Sequence, residues 1–111
     1  MPYIPTQPNS KPRIYKYIFD NIERGILKTK VEGPPILDIL DIQEQYIPDN
    51  GDTLVLWAVV DTAWMGAQTD VQIYCAYTGD PPPGEGWSYI KTIQSKFDGL
   101  VYHLYLKNDW C

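Results

Sequence analysis

The sequence predicts an all-β fold, a compact single-domain sandwich or barrel of about seven mostly antiparallel strands. Three observations support this prediction. Short segments alternate between apolar and polar residues, as strands with one buried face do. Asn50-Gly51 and Asp98-Gly99 are typical of tight hairpin turns. Proline and glycine clusters separate the alternating segments, and 111 residues suffice for one hydrophobic core.

The longest apolar run, residues 53–61, organises the predicted fold. Its residues are apolar on both faces, which indicates a central strand that is covered on both sides. Residues 36–46 also fit helical spacing, but their β-branched content and the turn that follows favour a strand. The complete set of predicted strands covers residues 13–19, 26–31, 36–46, 53–61, 70–77, 88–94 and 100–106.

A proline-rich arm or tail is predicted over residues 1–12, before a single β domain over residues 13–111. Prolines at positions 2, 5, 8 and 12 prevent a regular ladder or helix there. The start of the chain has no secretion signal and no apolar run is long enough to span a membrane. With only two cysteines, Cys75 is expected to be a buried free thiol and Cys111 lies at the chain end, so a cytoplasmic location is predicted.

The chain is acidic, with a net charge of −5 and a pI of about 4.6. Its nine basic residues are scattered, and this argues against direct nucleic-acid binding. Solubility explains the acidity, although an acidic face that meets a basic partner is an alternative. The acids available for such a face are Asp38, Asp41, Glu44, Asp49 and Asp52.

The side chains needed for catalysis are scarce. His103 is the one histidine, and in an alternating strand it is expected to be structural rather than a catalytic base. No clustered cysteines and histidines predict a metal site, and no glycine-rich phosphate loop is present. The sequence therefore predicts a protein that is not an enzyme and that needs no cofactor.

Aromatic residues are abundant, with nine tyrosines, four tryptophans and two phenylalanines. Most fit cross-strand packing in a sheet. Trp64 and Trp87 are assigned to loops, where each is either an anchor in the core or a contact residue for a partner or ligand. The predicted ligand- or partner-binding residues, with two cations available for a nucleotide phosphate, are Trp64, Met65, Trp87, Tyr89, Lys91 and Arg24.

Several motifs resemble a family of small phage and bacterial proteins that has no assigned activity. The resemblance covers residues 13–106 and is carried chiefly by the strand end Leu56-Trp57-Ala58-Val59-Val60-Asp61 and the ending Gly99-Leu100-Val101-Tyr102-His103-Leu104. Tyr77-Thr78-Gly79-Asp80-Pro81, Tyr89-Ile90-Lys91-Thr92-Ile93 and the opening Ile14-Tyr15-Lys16-Tyr17 also match, although Lys91 stands where the family has glycine. The resemblance implies a phage gene product that acts in the host cytoplasm.

Three functional classes remain open. The favoured one is a small non-enzymatic binding protein of phage type, which counters host defence by inhibiting a defence protein or by sequestering a defence nucleotide. The alternative is a virion or assembly accessory protein that uses the proline-rich arm, and the least favoured is a small enzyme. A homo-oligomer is also expected, because small β domains with tyrosine-rich faces often bury one face against a copy of themselves.

Overall fold

A computed structural model of the chain describes residues 11–20, 22–29, 32–48, 51–68, 70–96 and 99–107. These residues form strands joined by turns, and no helix among them is long and apolar enough to cross a membrane. The prediction of about seven strands is confirmed. They are β1 (Pro12–Phe19), β2 (Gly25–Lys28), β3 (Ile36–Ile47), β4 (Gly51–Asp61), β5 (Gln72–Tyr77), β6 (Trp87–Gln94) and β7 (Val101–Lys107).

The strands form two antiparallel sheets. A three-stranded sheet has the order β1-β4-β3, and a four-stranded sheet has the order β2-β5-β7-β6. The chain is therefore a sandwich and not a single closed barrel. β4, the predicted central strand, lies between β1 and β3, and residues 36–46 form a strand as predicted.

The core lies between the two sheets. On β4, Leu54, Leu56, Ala58 and Val60 are fully buried, as alternation in a strand with one face inward requires. They pack with inward side chains of the other sheet, among them Leu104. The opposite face of β4 is covered only in part, because Trp57 and Val59 keep some exposure.

Turn chemistry favours two hairpins, β3–β4 and β6–β7. Gly51 and Gly99 each have a φ of 75°, a backbone conformation that glycine adopts without the cost it has for other residues. Gly51 begins β4 after the β3 strand, and Gly99 precedes β7 after β6. The glycines of both predicted hairpin signals thus have the conformation that tight turns demand.

The bounds of all seven strands differ from the predicted ranges by one to three residues at one end or both, and three of these differences concern residues discussed above. Pro12 is the first residue of β1, a position where the missing N–H costs no ladder bond. β2 ends at Lys28, before the predicted limit at residue 31, and Val31 lies outside the described residues. Trp87 was assigned to a loop, but it is the first residue of β6 and pairs with Lys107 of β7, so that prediction was wrong.

Irregularities in two of the four edge strands, β3 and β6, change which side chains face inward. β6 has a register shift between Tyr89 and Lys91, and β3 has two, between Ile36 and Asp38 and between Ile39 and Asp41. A bulge adds one residue to a strand, so the side chains after it change face. Tyr89 and Lys91, which simple alternation places on the same face, therefore lie on opposite faces.

Candidate binding face

A row of aromatic side chains crosses the outer face of the four-stranded sheet. The register sets Tyr74 of β5 opposite Tyr105 of β7, and Tyr105 opposite Tyr89 of β6. The ring centroids of Tyr105 lie 6.5 Å from Tyr74 and 5.6 Å from Tyr89, with the planes at 73° and 70°. Ile26 of β2 extends the row at the other edge, because it pairs with Tyr74.

Trp87 enlarges this row on one side. It lies two positions before Tyr89 on β6, so both side chains occupy the same face, and its ring centroid is 5.7 Å from Tyr74. Tyr89 is 58% exposed and Ile26 is 53% exposed, whereas Tyr74, Trp87 and Tyr105 are half-buried. We call Ile26, Tyr74, Trp87, Tyr89 and Tyr105 the aromatic face.

A chain of hydrogen bonds borders the aromatic face. The Tyr89 hydroxyl shares a hydrogen bond of 2.6 Å with Thr92 Oγ1, which lies 3.0 Å from His103 Nδ1. The other ring nitrogen, His103 Nε2, lies 2.9 Å from Thr78 Oγ1. Because a threonine hydroxyl both donates and accepts, either neutral tautomer of His103 satisfies this chain. These hydrogen bonds fix the position of the Tyr89 hydroxyl at the edge of the aromatic face.

The charge on this outer face is positive although the protein is acidic. Lys28 pairs with Gln72 and Lys107 pairs with Trp87, which places both lysines one row beyond the tyrosines. Two positions along a strand correspond to about 6.7 Å. The described outward positions of β2, β5, β6 and β7 contain no acidic residue. They are Ile26, Lys28, Gln72, Tyr74, Ala76, Trp87, Tyr89, Thr92, Gln94, Val101, His103, Tyr105 and Lys107.

Lys91 does not belong to this face. Its Nζ lies 2.8 Å from Asp41 Oδ1 and donates to the carbonyl oxygen of Ile42 at 3.1 Å, so it joins β6 to β3 of the other sheet. The hydrogen bond from Lys91, followed by that from Gln43, lowers the pKa of the Asp41 carboxyl. Lys91 is thus bound to a carboxylate of the chain itself, and not held with the aromatic residues for a phosphate.

A second carboxylate continues the contact between the two edge strands. Glu44 of β3 accepts a hydrogen bond of 2.6 Å from Ser95 Oγ and one of 2.9 Å from the backbone N–H of Lys96. We call the line of contacts formed by Asp41, Glu44, Lys91, Ser95 and Lys96 the seam. Two of the acids proposed for an acidic face, Asp41 and Glu44, serve this structural contact. Asp49 lies outside the described residues.

A groove lies at the end of the seam formed by Asp41 and Lys91. It has a volume of about 430 Å³, and its walls include Leu40, Asp41, Ile90 and Lys91. Tyr89 lines it as well, so this residue faces both the groove and the outer surface. The groove brings together two residues that the sequence proposed for binding, Tyr89 and Lys91.

The other predicted binding residues are held elsewhere. Arg24 Nε lies 3.3 Å from Asp80 Oδ2, and its guanidinium sits 4.9 Å from the ring centroid of Tyr77. Trp64 donates from Nε1 to the carbonyl oxygen of Ala67 within the β4–β5 loop, at 2.9 Å. Met65 beside it is 95% exposed. The six predicted residues therefore do not form one site, and only Trp87 and Tyr89 lie on the aromatic face.

The cysteine and histidine side chains, which often act as nucleophile or base in enzymes, are buried or hydrogen-bonded here. Cys75 is fully buried in the core, and burial, followed by the charge of Asp80, raises the pKa of its thiol to about 11. Thiolate is the nucleophilic form, so this cysteine is inert at neutral pH. His103 is hydrogen-bonded to two threonines, and among the described residues no three metal-ligating side chains cluster.

Comparison with protein families gave a match that covers most of the chain. The family model described as "Domain of unknown function (DUF7352)" matches residues 10–110. The chain belongs to this family. The DUF7352 match spans all seven strands, the aromatic face and the seam. Comparison with curated proteins and with solved structures gave no significant match.

Sequence reasoning missed Tyr74, Tyr105, Lys28 and Lys107 as members of the candidate site. Alternation assigns Tyr74 and Tyr105 to the outward faces of their strands, which is a signal that the sequence does contain. Strand order was the missing information, because β7 enters the sheet between β5 and β6 and so joins the three tyrosines into one row. Without the strand order, the sequence does not show that the four outward aromatic residues of β5, β6 and β7 lie next to one another.

Proposed function

We propose that this protein is a non-enzymatic binding protein and that the aromatic face is its contact surface. The row formed by Tyr74, Tyr105 and Tyr89 across three strands is the observation that carries this proposal. Exposed apolar patches rimmed by polar groups mark interaction sites, and tyrosine and tryptophan supply much of the contact energy at such sites. Trp87 and Ile26 extend the patch on both sides.

The inventory of reactive groups supports binding over catalysis. A general base must have a proton to take and a group that orients it. His103 has threonine hydroxyls at both nitrogens and no carboxylate partner among the described residues. Cys75 is buried in the core. The described residues thus favour binding, and the aromatic face is where exposed aromatic side chains suited to contact with a partner lie together.

The partner belongs to one of two classes, a host protein or a small nucleotide. The family resemblance supports a phage product that acts in the host cytoplasm, and its binding would then inhibit a defence protein or sequester a defence nucleotide. The assembly role rests on residues 1–12, of which the structure describes Lys11 and Pro12 alone. The proposal made here does not depend on that arm.

Native mass spectrometry tests the proposal. The purified protein is incubated with host-cell extract that has been separated into a small-molecule and a macromolecular fraction. One fraction is expected to add a defined mass, which is lost in the Tyr89→Ala/Tyr105→Ala variant. The matched control is Trp64→Ala/Met65→Ala, which removes two exposed apolar side chains from the β4–β5 loop and is expected to retain the added mass. The same spectra report whether the protein is a homo-oligomer.

Two results would overturn the aromatic face as the contact surface. The first is an added mass that persists in the Tyr89→Ala/Tyr105→Ala variant. The second is an added mass that is lost from the Trp64→Ala/Met65→Ala control while both proteins remain folded, which would move the site to the loop. Thermal unfolding of each variant separates loss of binding from loss of fold.

A further inference from the structure

The outer face of the four-stranded sheet differs in charge from the rest of the molecule. The protein has a net charge of −5, but this face has two lysines and no acidic residue among its described positions. Lys28 is exposed, Lys107 is half-buried, and neither has an ion pair or side-chain hydrogen bond to another described residue. Their charges are therefore not neutralised by the described part of the protein, in contrast to the charge of Lys91.

The aromatic rings and the lysines have complementary chemistry. Aromatic side chains stack on nucleobases, and they do so with any base because every base has a π-face. A lysine ammonium is a point charge that binds phosphate. The row that contains Lys28 and Lys107 lies about 6.7 Å along the strands from the tyrosine row, so that one sugar joins the two positions. Base and phosphate of a single nucleotide can occupy both rows together.

We propose that the aromatic face binds a nucleotide, whose base stacks on Tyr105 and its ring neighbours and whose phosphate is bound by Lys28 and Lys107. This inference rests on the proposed function and names its ligand. Tyr105 has ring neighbours on both sides, at 5.6 Å and 6.5 Å, so the three rings form a continuous aromatic surface on which a base can lie. Trp87 lies beside Lys107, because it pairs with that lysine on the neighbouring strand.

The ligand is a short nucleotide and not a long nucleic acid. A long polyanion would extend past the two lysines onto an acidic surface, and its binding gains affinity from many clustered cations. Acidic side chains come close to the border, since Asp70 Oδ1 lies 3.4 Å from Nε2 of Gln72, a residue in the lysine row. A ligand with one or two phosphates is short enough to be bound by Lys28 and Lys107 without extending past them.

Isothermal titration calorimetry with four probes tests the inference. The probes are AMP, adenosine, inorganic phosphate and polyadenylate. AMP is expected to bind more tightly than adenosine or phosphate, because of these three it alone combines a base with a phosphate on one sugar. Tyr105→Ala is expected to weaken AMP binding at least about fivefold, the lower limit for one base stacked on an aromatic ring. Lys28→Gln/Lys107→Gln is expected to weaken it about three- to tenfold, an effect that added salt reduces.

Matched controls come from the other sheet. Lys16→Gln removes an exposed lysine that also pairs with a tryptophan, Trp57, and Tyr46→Ala removes a tyrosine that is 62% exposed on β3. Both controls are expected to bind AMP as the unaltered protein does. Equal weakening in the controls would mean that binding is not specific to the aromatic face.

Three outcomes would overturn the inference. The first is the absence of AMP binding at about 1 mM, a concentration at which even a weak interaction is detected. The second is AMP binding that Tyr105→Ala leaves unchanged. The third is binding of polyadenylate by a protein that does not bind AMP. A different result is failure of AMP to bind although the added mass in native spectra still depends on Tyr89 and Tyr105. That result would refute the nucleotide as ligand but would leave the aromatic face as the contact surface. If that added mass also fails to depend on these tyrosines, both proposals fall.

Discussion

Breaking the ion pair between Lys91 and Asp41 should measurably loosen the contact between the two sheets. At 2.8 Å, two unit charges attract by about 1.5 kcal/mol in a medium with the dielectric constant of water. Both side chains are about 40% exposed, and ordering a lysine consumes much of this attraction. Pairs of this kind typically contribute about 0.2–1 kcal/mol. Because Gln43 and the Ile42 N–H already fix the carboxylate, we expect a coupling energy of about 0.5–1 kcal/mol.

A double-mutant cycle measures this coupling. Urea unfolding of the unaltered protein, Lys91→Met, Asp41→Asn and the double variant gives the four free energies of unfolding. Lys16→Met combined with Asp41→Asn is the matched control, and its two effects are expected to add. A coupling below about 0.2 kcal/mol for Lys91 and Asp41, or one that equals the control, would refute the reasoning.

The pH dependence gives an independent check on the same pair. The folded pKa of Asp41 is lowered from its usual 3.8, chiefly by the hydrogen bond from Lys91. Its contribution to stability is therefore complete above 3.8 and is lost as the pH falls through the lowered value. Unfolding measured from about pH 5 to about pH 2 should show a smaller acid-dependent loss in Lys91→Met than in the unaltered protein. An equal loss in both proteins would contradict the assignment.

Two further predictions concern single residues of the core and of the β4–β5 loop. The thiol pKa of Cys75 is raised from 9.0 to about 11, so its contribution to stability is full below pH 9.0 and is lost as the pH rises through the folded value. Unfolding between these pH values should therefore show a smaller alkaline loss in Cys75→Ala, and an equal loss in both proteins would refute the burial argument. Gly66→Ala would place a methyl group 2.6 Å from Trp64 Cζ2, so the indole must move away from Ala67. The indole N–H resonance of Trp64 should shift while the unfolding midpoint stays nearly constant, and an unshifted resonance would show that the ring is not packed on Gly66.

Local patterns in the sequence predicted the strands well because each depends on neighbouring residues. Alternation, the run that is apolar on both faces and β-branched content together placed the seven strands, and the glycines of the two hairpin signals have the positive φ that such turns require. The β-branched content of residues 36–46 correctly favoured a strand over a helix. These properties need no knowledge of the partner strands.

The candidate site was only partly predictable because it depends on how the strands pair. The bulge at Ile90 turns Lys91 toward Asp41. No residue pattern within β6 predicts this bulge. Arg24 likewise has a partner, Asp80, that only the fold brings near. Tyr89 and Trp87 were chosen for their residue types, and the fold placed them beside two tyrosines that alternation alone left scattered.

Backbone amide chemical shifts, followed during titration with AMP, show where on the molecule the nucleotide binds. If the nucleotide binds at the aromatic face, the largest changes should fall on the four-stranded sheet, at Lys28, Tyr74, Trp87, Tyr89, Tyr105 and Lys107. Changes concentrated in the β4–β5 loop around Trp64 or along the seam around Lys91, or no changes at all, would contradict binding at that face.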